Sequence, residues 1–115
     1  MYFKNLNEIK EINFLPKINV KFVHSENMTF AYWKIEAGAI FPKHSHPHEQ
    51  VATMLTGEFE FIVGDEKRIM KKGDVAIVPP NVNHSGIALT DCDIIDVFFP
   101  NRQDYVMLSL KNKKK

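Results

Sequence analysis

The sequence holds a single cysteine, Cys92, among 115 residues. One thiol cannot close an intramolecular disulfide, and no cysteine pair offers a zinc site. Cys92 stands between Asp91 and Asp93 with no histidine beside it, so it reads as a semi-buried thiol, not a nucleophile. An excess of charge of one sign is lacking too. Lys and Arg number 15 against 14 Asp and Glu, a net charge of +1. Nothing in that balance points to nucleic acid or a membrane surface, and no helix-turn-helix or basic recognition helix is legible. No run is long and apolar enough to span a bilayer. The stretch from Met1 to Glu8 has no apolar run of signal-peptide length. These absences predict a soluble, cytoplasmic protein. Internal repeats of solenoid period and low-complexity linkers are absent as well.

What remains is an ordinary globular balance, 44% hydrophobic and 25% charged. It predicts one domain over residues 1–115, with a core that needs no disulfide. The basic stretch Lys111 to Lys115 lacks apolar partners and reads as a frayed, solvated tail.

Asn5 with Glu8 resembles a capping box, and Leu6, Ile9 and Ile12 would share one side of a short helix ended by Pro16. Short strands then alternate with turns. Ile18 to Phe22 alternates apolar and polar residues, Thr29 to Ala37 is aromatic and branched, and Val51 to Leu55 stops at Thr56-Gly57. In Glu58 to Val63, Phe59, Phe61 and Val63 share a face. Lys67 to Lys71 is a short polar strand, Val75 to Val78 a buried-type strand ended by Pro79-Pro80, and Ile94 to Phe99 another ended by Pro100. Many short strands, regular Gly/Pro punctuation and no long helical pattern predict an all-β sandwich or barrel. Apolar faces near Phe30 and Tyr32 suggest a second buried surface, compatible with a dimer interface.

The informative stretch runs Gly38-Ala39-Ile40-Phe41-Pro42-Lys43-His44-Ser45-His46-Pro47-His48-Glu49-Gln50. On a strand, His44 and His46 place both imidazoles on one face, where neutral imidazoles suit zinc, nickel, iron or copper. Pro47 should end that strand, and Gln50 opens the next with a neutral amide oxygen. Glu49, the rival oxygen ligand, would point to the opposite face. A second piece, Gly73 to His84, leads a strand through Pro79-Pro80 to a histidine, with Asn81 suited to a left-handed turn.

Together the two pieces resemble the paired motifs of the cupin superfamily. Gly38, His44, His46, Gln50 and Gly57 fit the first motif without a gap. Gly73, Pro79 and His84 fit the second, with Asn81 where the family has Gly and Ala88 where it has Asn. The resemblance covers a core of about residues 38–88. It implies a double-stranded β-helix, or jelly-roll β-sandwich, holding one divalent metal ion (zinc, nickel, iron or manganese) on His44, His46, Gln50 and His84. With Gln in place of Glu the ligand set is neutral, so the cation keeps its full charge, which suits Lewis-acid chemistry on a sugar. His48 lies in the loop between ligands and reads as a spectator or a substrate-side donor. His24 receives no function.

A second cluster is Asp96-Val97-Phe98-Phe99-Pro100-Asn101-Arg102-Gln103-Asp104-Tyr105. By period two Asp96 shares a face with Phe98. A carboxylate in such a strand needs a partner or a wet cavity. Arg102 can turn back to pair with Asp96, or grip a substrate carboxylate in bidentate fashion. Spacing alone favours the structural pair slightly. The segment also resembles the small cupins of pectin and alginate breakdown, as do His44 to Gln50 and Leu55 to Phe61. That resemblance implies an isomerase-type enzyme that opens and ketonises 4,5-unsaturated monouronates to linear 4-deoxy-5-keto uronates. It assigns Asp96, Phe98 and Arg102 to the active site and implies a homodimer. Phe99 and Asn101 depart from that family's pattern and could reshape the pocket. The rival readings are a cupin dioxygenase, another sugar isomerase, and a non-enzymatic sugar- or metal-binding module.

Overall fold

The computed structural model describes residues 2–113. Ten strands are followed by one helix: β1 (Ile12–Leu15), β2 (Ile18–His24), β3 (Thr29–Ile35), β4 (Ile40–His44), β5 (Glu49–Thr56), β6 (Phe59–Val63), β7 (Glu66–Met70), β8 (Val75–Val78), β9 (His84–Ala88), β10 (Cys92–Phe99) and α1 (Gln103–Lys113). They form two antiparallel sheets that enclose one core, as the all-β reading expects. One sheet has the order β1-β2-β3-β10-β5-β8, the other β4-β9-β6-β7.

Period-two alternation explains which residues line the core. Ile18, Val20 and Phe22 of β2 are buried, as are Ala31, Trp33 and Ile35 of β3 and Ala52 and Met54 of β5. On β10 the buried set is Cys92, Ile94, Asp96 and Phe98, so a carboxylate takes an inward position among apolar neighbours. The opposing sheet contributes Phe59, Phe61, Met70, His84 and Ala88. Gly86 of β9 lies under the Phe59 ring, where any Cβ would collide with it.

Four local expectations are corrected. The capped helix is only a 3-10 turn, Leu6–Glu8, with Asn5 Oδ1 accepting from the Asn7 N–H. Ile12 leaves it to pair with Val20 as part of β1, because burying Ile12 against the sheet outweighs a short helix of weak propensity. The strand carrying His44 ends at that residue, ahead of Pro47, so His46 sits in the connection to β5. β8 is an edge strand paired only with β5, and alternation turns Val75 (55% exposed) and Ile77 (64% exposed) to the outer face of the sheet, leaving Val78 alone buried. The basic tail is helical through Lys113, while Lys114 and Lys115 lie outside the described residues. The sequence reading had no helix there. Its apolar residues do not form one stripe: Tyr105 is buried, whereas Met107 and Leu110 are exposed.

Asn81 adopts φ 67°, the left-handed conformation expected of it. Gly57 needs its glycine more strictly. It has φ 88°, and an added Cβ would run into the backbone carbonyl of Asp91. Gly57→Ala is therefore expected to destabilise the protein by on the order of 3 kcal/mol, read as a lower denaturation midpoint at unchanged m-value.

Candidate metal centre and its pocket

His44 closes β4, His84 opens β9, and the two residues face one another in the register of those strands. His46 joins them from the β4–β5 connection. Ring centroids lie 4.3 Å apart for His44 and His84, 4.9 Å for His46 and His84, and 5.8 Å for His44 and His46. One nitrogen from each ring falls within 4.8 Å of the others, so the three form a cluster that could hold a metal ion.

Each ring is oriented by its other nitrogen. Nδ1 of His44 lies 2.8 Å from the Pro42 carbonyl, that of His84 2.9 Å from Val82, and that of His46 3.1 Å from His48. A carbonyl only accepts, so each Nδ1 carries the proton and each Nε2 presents a lone pair. Such backbone partners fix imidazole ligands in metal sites. Two features then suit a cation. His84 Nε2 is buried without a partner. His46 Nε2 lies 3.0 Å from Gln50 Oε1, where, with Nδ1 protonated, two acceptors confront each other. A second proton on His46 is no remedy at neutral pH: burial, then the Arg102 charge, pushes its pKa down to about 4. The donor set of three imidazoles and an amide oxygen fits a divalent transition metal. Gln50 is buried and Glu49 exposed, as alternation along β5 required.

The cluster borders a cavity of about 50 Å³ lined by His44, Gln50, His84, Asp96, Phe98 and Arg102. Its inner wall is apolar, built by Phe41, Phe59, Phe61 and Met70. His46 joins the group through Phe98, 5.6 Å between ring centroids. All seven candidate residues thus meet in one place.

The expected pairing of Arg102 with Asp96 is not made. Arg102 instead forms a fork with Asp104, Nε to Oδ1 at 3.0 Å and Nη2 to Oδ2 at 2.7 Å. Its guanidinium lies over Tyr105 at 3.9 Å and Phe98 at 4.9 Å. A partner two residues away at the start of α1 is reached more easily than one across the cavity. Nη1 remains buried with no partner in the chain. Asp96 Oδ2 accepts from Trp33 Nε1–H at 2.9 Å, while Oδ1 has no full hydrogen-bond partner. Burial pushes the Asp96 carboxyl up to about 6, against the opposing pull of Gln50, Trp33 and the Arg102 charge. It is a carboxyl that can give or take a proton near neutrality.

Trp33 and Thr29 escaped the sequence reading, and Asp104 and Tyr105, quoted there within the second cluster, had been given no role. Thr29 belongs to a chain of hydrogen bonds that anchors α1. The Arg102 backbone N–H donates to Thr29 Oγ1 at 2.9 Å, and Thr29 meets His24 Nδ1 at 2.9 Å. His24 Nε2 then meets Ser109 Oγ at 3.0 Å, and Ser109 donates to the Tyr105 carbonyl at 2.9 Å. This is consistent with a neutral His24, whose pKa burial lowers. His24, given no function from sequence, thus ties α1, which carries Tyr105 and follows directly on Arg102, to β2.

Comparison with known proteins agrees with this architecture. The cupin domain family matches residues 31–98. The pectin degradation protein KdgF of Dickeya dadantii is 38% identical over 71 residues, 60% of this chain and 64% of that protein, so the match spans slightly under two thirds of the relative. The structure of KdgF from Halomonas sp. superposes with a TM-score of 0.83 at 30% identity, covering 91% of this chain and 97% of that one. An RmlC-like cupin from Shewanella frigidimarina shares the fold, with a TM-score of 0.87 at 24% identity over 91% of this chain and 96% of that one. Among the described residues, no helix is long and apolar enough to cross a membrane.

Proposed function

The chain belongs to the cupin family, and on that premise we propose that it is a metal-dependent enzyme of uronate breakdown, opening and ketonising 4,5-unsaturated monouronates. The likeness to the two KdgF proteins supports a pectin-degradation cupin. One observation carries the finer reading. A buried carboxyl with one unpartnered oxygen and a buried guanidinium with one unpartnered edge share a cavity with the three-histidine cluster.

His44, His46, Gln50 and His84 would hold a divalent cation, which supplies Lewis-acid polarisation of substrate oxygens. The chain's own residues do the rest. Arg102, steadied by Asp104 and Tyr105, binds the sugar carboxylate. Phe98 packs on the ring's apolar face, and the apolar wall excludes water. Ring opening breaks the bond between C1 and the ring oxygen: the C1 hydroxyl loses its proton, and the ring oxygen becomes an enol on C5. Ketonisation adds a proton at C4 and removes the enol proton, so the reaction is an isomerisation with no co-reactant. Asp96 moves that proton from its unpartnered Oδ1, held in line by Trp33 on Oδ2. In metal-loaded protein, loss of the substrate's conjugated ultraviolet absorbance well above the uncatalysed rate supports this function. The uncatalysed rate alone contradicts it.

We propose further that the chain forms a homodimer through one sheet face. On the outer face of the six-stranded sheet, Phe30, Val97, Val51 and Ile77 stand side by side in register across β3, β10, β5 and β8. Four strands at about 4.8 Å spacing and roughly 20 Å of length give about 400 Å² of sheet face, apolar in its middle and flanked by the Lys34–Asp93 ion pair, about half of a standard interface per partner before side-chain relief and rim are counted. Wild type is expected to sediment as a dimer and Val75→Lys/Ile77→Lys as a monomer. A monomeric wild type would contradict the assignment.

A further inference from the structure

The candidate site leaves two buried nitrogen atoms without a partner in the chain besides that of His84: Nη1 of Arg102 and Nδ1 of His48. Both side chains lie against the same pair of rings, His46 and Phe98. His48 lies 5.5 Å from His46 between ring centroids, His46 packs on Phe98, and Arg102 covers Phe98 from 4.9 Å. The charges of Arg102 and Asp104 both reach the His48 ring. Asp104 takes Nε and Nη2 of the guanidinium and so fixes its orientation, leaving the Nη1 edge for another acceptor. Arg102 itself is 7% exposed.

Buried donors without acceptors are destabilising unless a ligand completes them. Arg102 Nη1 and, in its Nδ1–H tautomer, His48 Nδ1 are donors from two separate side chains. Two such donors match the two oxygens of a planar carboxylate. With two of its donors given to Asp104, Arg102 offers a reduced fork that suits a carboxylate better than a phosphate dianion.

We propose that His48 and Arg102 together form a carboxylate subsite, with His48 as a specificity-determining residue that selects acidic over uncharged sugars. The inference rests on the uronate reading of the site but not on turnover. Trp33, the only tryptophan, lines the cavity, so its fluorescence can report binding without reaction. The experiment titrates metal-loaded wild type, His48→Leu and His48→Asn with galacturonate and with its methyl ester, after metal analysis confirms equal loading. Wild type is expected to bind the acid more tightly than the ester. His48→Leu should weaken the acid about tenfold and leave the ester unchanged, and His48→Asn, whose amide replaces the N–H, should recover most of the loss. Equal weakening of acid and ester, no weakening, or a wild type without preference for the acid would overturn the proposal. If the preference and its His48 dependence appear while unsaturated monouronates are not turned over, the subsite stands and the proposed reaction fails.

Discussion

Asp96→Asn is expected to lower turnover of a 4,5-unsaturated monouronate by about 10²- to 10⁴-fold, the usual contribution of a positioned general acid or base, with metal content and fold intact. The Asn side chain can still accept from Trp33 Nε1–H, so the packing of β3 against β10 survives. Stability separates loss of chemistry from loss of structure. In the folded, metal-free chain, burial pushes the Asp96 carboxyl from 3.8 to about 6. Its folded pKa lies above its unfolded one, so the ionised group costs stability above about pH 6. That cost shrinks as pH falls toward 3.8 and is gone below it. Asn carries no such cost. The metal-free variant should thus be at least as stable as wild type at pH 7, by on the order of 3 kcal/mol at most, and the gap should close by about pH 4. Unchanged turnover in a folded, metal-loaded variant would remove Asp96 from the proton path.

His84→Ala carries the second large effect. It takes away a nitrogen that is buried and unpartnered and central to the cluster, 4.3 Å from the His44 ring and 4.9 Å from that of His46. Its loss should weaken metal binding by more than the roughly 10- to 100-fold typical of removing an outer partner, and activity should fall to the uncatalysed rate. Chelation of wild type should do the same, reversed by returning a divalent metal. Metal analysis after dialysis and thermal unfolding with and without metal check both. Bound metal should raise the midpoint of wild type through linkage and leave that of His84→Ala nearly unchanged. Equal metal content in the two proteins would contradict the ligand set.

Much of the site was legible because its spacing is local. His44, His46 and Gln50 flank one connection, and His84 follows a proline turn whose positive φ at Asn81 the sequence announces. Period two placed Asp96 and Phe98 on one face of β10 and turned Glu49 away from Gln50's side of β5. What was not legible depends on distant pairings. Trp33 meets Asp96 across 63 positions, through a β3–β10 register that no local pattern encodes. Strand β9, His-Ser-Gly-Ile-Ala, has too little branched or alternating character to read as a strand; its glycine answers to Phe59 on the neighbouring strand. Val75 and Ile77 read as buried from composition alone, and their place on the outer face of an edge strand exposes them. Arg102 was found, but its partner was not, because the fork with Asp104 forms where the chain turns into a helix that had not been read.

The most direct test of the central claim is proton NMR of a 4,5-unsaturated monouronate in deuterium oxide with the metal-loaded protein. Enzymatic ring opening and ketonisation predict accelerated loss of the vinyl H4 signal. They also predict a 4-deoxy-5-keto product with deuterium in one of the two C4 positions, because Asp96 delivers it to one face. Loss at the uncatalysed rate, with the one deuterium divided between the two positions and metal still bound, would contradict the account.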